Sequence, residues 1–91
     1  MDKIEAEQWQ GAWITFHPDP SQVQRCLPVP GAKLFAGEVI GTSPLPPFGP
    51  GKIPDLGLTV RGRSGKITRI SLVGNYARAH PDKRTAVALC A

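Results

Sequence analysis

The sequence predicts a mainly β fold: a small bent antiparallel sheet or partly open barrel, with one or two short helices near the N-terminus. Three observations lead there. Of 91 residues, 10 are Gly and 10 are Pro, a density of breakers that argues against a bundle of long helices. The apolar runs are short and rich in β-branched and aromatic residues, as in Trp13-Ile14-Thr15-Phe16. Two further runs, 58–61 and 67–72, flank Gly62-Arg63-Ser64-Gly65-Lys66 and read as a hairpin. A chain of this length is expected to form one domain, residues 1–91, with a small core, since only about 60–65 % of the unfolded surface can be buried at this size.

Taken in order, Asp2 to Gln10 is helix-compatible and Gly11 can end it. Trp13–Phe16 follows as a strand that Pro18 stops. Asp19-Pro20 pairs a capping residue with Pro at the first helical position, so a short helix is expected from Pro20 to about Cys26, closed by Pro28. Lys33 to Ile40 is a strand in which Gly37 marks a bulge or a close backbone approach. Residues 41–57, GTSPLPPFGPGKIPDLG, are Gly or Pro at nine of seventeen positions and read as an irregular loop. Beyond the hairpin, an extended segment puts Tyr76, Arg78 and His80 on one side, and Pro81-Asp82 has turn chemistry. Arg84 to Cys90 reads as a last strand, central or covered because Ala86 to Cys90 is apolar on both faces. Five or so strands joined by tight turns suit a small bent sheet or an SH3-like or OB-like barrel.

The hairpin's register follows from its hydrophobic pattern. A two-residue Ser64-Gly65 loop would set Val60 opposite Arg69 and mix charge with core. A type I turn on Arg63-Ser64 with Gly65 as a G1 bulge instead sets Arg61 opposite Ile67, Thr59 opposite Arg69 and Leu58 opposite Ile70. One face then carries Leu58, Val60, Thr68, Ile70 and Leu72. The other carries Arg61 and Arg69, leading to Arg63 and Lys66 at the tip.

Charge is divided unevenly along the chain. Residues 1–51 hold three basic and five acidic side chains, and residues 52–91 hold eight and two. A basic C-terminal half favours an anionic partner. Arg61, Arg63, Lys66, Arg69 and Arg78 are the candidate phosphate contacts, with Tyr76 as a base-stacking ring and Trp9 or Trp13 joining it if exposed. The expected function is a small non-catalytic module that contacts nucleic acid through this hairpin. The alternative is a protein-interaction module, an inhibitor or assembly factor and possibly a homo-oligomer. It would use an edge strand and the proline-rich segment, in which Pro44, Leu45, Pro47 and Phe48 include a PxxP pattern.

Other chemistries find little footing. There is no Gly-rich phosphate loop, no GxSxG and no HExxH, so neither enzyme activity nor a cofactor is expected. His17, Cys26, His80 and Cys90 lack the short paired spacings of a metal site, and the two cysteines sit among apolar neighbours as buried reduced thiols would. No apolar run reaches the roughly 20 residues needed to span a bilayer, and the N-terminus lacks the apolar stretch of a secretory signal, so a cytoplasmic address is expected. His-Pro-Asp occurs at 17–19 and 80–82. Within residues 76–84 the second copy resembles the loop of a J-domain co-chaperone, which implies two long flanking helices. The β-patterned, Gly-punctuated sequence ahead of it departs from that plan, and both copies read as Pro turns in which Asp caps or closes the bend.

Overall fold

A computed structural model describes residues 6–24, 27–49 and 51–90. It contains a helical turn α1 (Ala6–Trp9), strand β1 (Trp13–Phe16), and a 3-10 turn at Pro20–Gln22. Next come the short strands β2 (Val23–Gln24) and β3 (Leu27–Pro28), then β4 (Phe35–Phe48), β5 (Ile53–Gly62), β6 (Ile67–Ser71), β7 (Arg78–His80) and helix α2 (Lys83–Ala88). β2 and β3 pair with each other, and the other five strands form one antiparallel sheet in the order β6-β5-β4-β1-β7. The fold is therefore mainly β. No helix among the described residues is long and apolar enough to cross a membrane.

The sheet is bent because its two edges are joined by a compact turn. In a flat five-stranded sheet, β6 and β7 would lie four strand spacings apart, roughly 19 Å. Residues 72–77 between them are not extended: Tyr76 N donates to Val73 O (3.2 Å) and Ala77 N to Leu72 O (3.0 Å). The edges must converge, yet they do not pair, so the sheet stays open. Asp55 holds this turn in place. Its Oδ1 accepts from Leu56 N (2.8 Å) and Val73 N (3.0 Å), and its Oδ2 accepts from Ser71 Oγ (2.7 Å). Asn75, which is buried, donates from Nδ2 to His17 O (2.6 Å) and accepts from Ser71 N (2.9 Å), tying the end of β1 to the end of β6.

Inside the bend lie Ile14, Phe16, Val39, Leu56, Leu58, Val60, Ile70 and Ala77, with Trp9, Ala12 and Leu72 packed against them. The β5–β6 register is the one the hydrophobic pattern selects: Leu58 opposes Ile70, Thr59 opposes Arg69, Val60 opposes Thr68 and Arg61 opposes Ile67. Gly65 has φ +90°, its N–H donates to Gly62 O (3.0 Å), and Gly62 N donates to Lys66 O (2.8 Å), closing the bulged turn. Each large side chain this register buries stabilises the fold by about 1.5–3 kcal/mol.

Several expectations need correction. Residues 41–48 and 53–57 are not an irregular loop but the far half of β4 and the near half of β5, paired from Gly41–Thr59 to Leu45–Asp55 and again at Phe48–Ile53. Prolines are tolerated there because β1 pairs only with residues 35–38 of β4, which leaves the rest of that strand open on one side. Pro46 and Pro47 sit in the register shift between Leu45 and Phe48, where ladder bonds are already interrupted. Gly49 and Lys52, both at positive φ, close the end of this ribbon with Lys52 N donating to Gly49 O (3.1 Å).

The upstream bulge falls at Ile40 rather than Gly37. Gly37 meets the other expectation, a close backbone approach: a Cβ there would collide with the Val60 side chain and lie 3.0 Å from Arg61 O. The helix expected from Pro20 to Cys26 shortens to one 3-10 turn and gives way to β2. The helix expected over 2–10 is described only as Ala6–Trp9, its first residues lying outside the described ones. A second α-helix lies after β7 rather than near the N-terminus, since Arg84 to Cys90 is not a strand.

Asp82 decides that last point. Its carboxylate accepts from Thr85 N and Thr85 Oγ1 (both 2.8 Å), and this cap starts α2 immediately after Pro81. Asp19 plays the same part for the 3-10 turn, accepting from Ser21 N (2.9 Å). Both His-Pro-Asp tripeptides are thus turns closed by their Asp. Helix α2 packs against β1 and β4 with Ala86 fully buried, whereas Ala88 and Leu89 (54 % exposed) face outward, so the apolar run is only partly used as cover.

Candidate nucleic-acid interface

The hairpin tip, Arg63 to Lys66, lies where β1 ends and β4 begins. These elements frame a half-open cleft of about 560 Å³. Phe16, Leu34, Phe35 and Ala36 give it apolar walls, and Lys33, Arg63 and Lys66 bring three cations to it. No described carboxylate lines it. Arg63 and Lys66 arrive on the turn that the Gly65 bulge fixes. Lys33 arrives from a segment 30 residues earlier, and its backbone carbonyl accepts a hydrogen bond from Nδ1–H of the buried His17 (3.0 Å). That bond leaves His17 Nε2 buried without a partner among the described residues.

Phe35 is 44 % exposed at the mouth of the cleft, and the Lys33 ammonium stands 5.6 Å from its ring centroid. An ion–ring contact at an exposed position contributes about 0.5–1 kcal/mol, weak enough for a ligand to displace. Cys90 also reaches the cleft, as a free thiol. Burial pushes that thiol above its ordinary pKa, with the Arg63 charge pulling the other way, so it is not poised as a thiolate nucleophile. Cys26 lies outside the described residues.

The other basic candidates are placed elsewhere. Arg61 projects from the outer face of β5 and donates from a guanidinium nitrogen to Glu38 Oε1 (2.8 Å), its direct neighbour across the β4–β5 ladder. The pair is partly exposed and contributes about 0.2–1 kcal/mol, but it neutralises one charge of the expected stripe. Arg69 lines an adjoining cleft of about 590 Å³ with Ser43, Leu45 and Pro20, which meets the tip cleft at Pro18. Tyr76 and Arg78 line a third recess with Ile53, Leu72, Val73 and Ala77, which shares no lining residue with the tip cleft.

Nor is Tyr76 an open ring. It has φ +51°, packs against His17 with centroids 5.9 Å apart, and accepts from Arg78 (3.2 Å), whose guanidinium also lies 5.9 Å from its ring centroid. Trp9 is half-buried against the core, and Trp13 is half-buried with Lys83 5.2 Å from its ring. The expected stripe of six residues is therefore divided: Arg63 and Lys66 meet at the tip cleft, Tyr76 and Arg78 at another recess, and Arg61 and Arg69 stand apart from both.

Lys33 and Phe35 are residues of this cleft to which sequence reading gives a place in a strand and no part in a site. Their signal is faint: a cation and an aromatic two apart at the start of a strand. Their relevance depends on Gly37 pairing with Gly62, which brings that strand's start beside the tip. Of the protein-contact candidates, Leu45 is 38 % exposed and Pro44 and Pro47 are exposed along β4, while Phe48 ends that strand opposite Ile53. In comparisons with known proteins, the chain matches no family model, no curated protein and no solved structure.

Proposed function

We propose that this protein is a non-catalytic nucleic-acid-binding module that holds phosphates at the hairpin-tip cleft through Lys33, Arg63 and Lys66. The observation carrying this reading is that three cations from two distant segments share one cleft without a described carboxylate beside them. Like charges brought together raise the local positive potential and favour a polyanion. Arg69 and Arg78 would extend the field, whereas Arg61 adds little while Glu38 neutralises it.

Fluorescence anisotropy with a labelled oligonucleotide over a salt series tests this. Three phosphate contacts predict a log K against log salt slope of about −2 to −3. Replacing Lys33, Arg63 and Lys66 together by Ala should flatten the slope by nearly that amount, and Arg61→Ala should change it far less. Absence of binding at low salt would reject the reading.

A second reading, contact with another protein or another copy of this chain, is supported by Leu45 (38 % exposed) and Ile53 (42 %) on the β4–β5 ribbon and by Ile67 (50 %) on edge strand β6. A monomeric mass by light scattering would exclude stable self-association.

A further inference from the structure

We infer that the tip cleft receives one unstacked base of a single strand, with Phe35 as the stacking ring, so that the protein prefers single-stranded nucleic acid to duplex. This rests on the nucleic-acid reading above and narrows it. The cleft combines two features that phosphate binding alone does not need: a volume of about 560 Å³, within the range of ligand pockets, and apolar walls from Phe16, Leu34, Phe35 and Ala36. A base inside a duplex has both faces covered by its neighbours and cannot enter such a recess. A base in a single strand can turn out of the stack and lay one face on a ring.

The surrounding groups suit that occupant. Ser64 and Thr68 line the same cleft and offer hydroxyls to a base edge, while Lys33, Arg63 and Lys66 stand where flanking phosphates would run. Phe35 is the one aromatic side chain among the exposed large hydrophobics of the described residues. On binding, the Lys33 ammonium leaves the Phe35 ring for a phosphate and the base takes its place, a weaker contact giving way to two stronger ones. The outer face of the hairpin suits duplex less well, because the Glu38 carboxylate beside Arg61 would repel a phosphate backbone laid along it.

The test measures the affinity of the full chain for a labelled 12-mer oligothymidylate and for a duplex of equal length at matched salt. We expect the single strand to bind about tenfold or more tightly, Phe35→Ala to lower its affinity about tenfold and bring the ratio toward one, and Phe35→Trp to retain the preference. Phe35→Leu separates ring from volume: it keeps an apolar side chain without a π-face. If Phe35→Leu restores wild-type single-strand affinity, the ring only fills space and the inference is overturned. Equal, salt-sensitive binding of both forms also overturns it, while leaving the phosphate-contact reading in place. Failure of both forms to bind at low salt removes both readings.

Discussion

The two halves of β5 give unlike signals for the same kind of structure. Residues 57–61 pair with β6 in a ladder whose one-sided burial dictates its register, and residues 53–56 pair with β4 alone in a ribbon whose composition reads as a loop. Both are antiparallel strands. What separates them is the number of neighbours each ladder must satisfy. At 58–61, β5 is bonded on both sides, so a residue without an N–H would cost a ladder bond, and none of the four is Pro. Along 44–48 and 53–56 the two strands have only each other within the sheet, and proline does little harm there. Proline density therefore marks the edge of this sheet rather than the absence of one.

Burial sharpens the comparison most. Leu58 is 1 % exposed and packs in the core, so Leu58→Ala should lower stability by about 2–5 kcal/mol in urea unfolding. Leu45→Ala, on the ribbon's exposed face, should cost less than about 1 kcal/mol. Equal losses would mean that the ribbon carries as much of the fold as the hairpin.

Backbone proximity offers the next test. A Cβ on Gly57 would lie 2.8 Å from Ser43 Oγ and 3.2 Å from Ser43 O, because the ribbon strands close tightly at this pair. Gly57→Ala should destabilise by about 1–3 kcal/mol, and adding Ser43→Ala should recover part of the loss by removing the nearest atom. Were residues 41–57 an open loop, Gly57→Ala would be neutral or mildly stabilising.

The smallest expected effect lies at the far end of the chain. The Thr85 backbone N–H, followed by its hydroxyl, holds the Asp82 carboxyl below its ordinary pKa of 3.8. A depressed folded-state pKa stabilises above the unfolded value and ceases to do so as pH falls through the folded value. Asp82→Ala should therefore lower the melting temperature slightly near neutral pH, and the difference from wild type should shrink below pH 3.8. A gap unchanged at pH 2 to 3 would show that the cap does not act through its charge.

Legibility in the sequence followed local constraint. β1, bounded by Gly11 and Pro18, and the β5–β6 register, fixed by alternation and a glycine bulge, could be read directly. α2 was hidden because its apolar run is short, and a short run fits a covered strand as well as a helix until Asp82 is recognised as its cap. The cleft was half legible. Arg63 and Lys66 are neighbours in sequence, but Lys33 and Phe35 join them only through the Gly37–Gly62 pair, a contact that no local pattern announces.

The central claim is that binding belongs to the hairpin tip and not to the proline-rich ribbon. Amide chemical-shift mapping with a short oligonucleotide tests it most directly. Perturbations should concentrate at residues 33–36 and 62–68 and spare 44–49 and 53–56. Shifts centred on the ribbon, or spread evenly over the molecule, would contradict it.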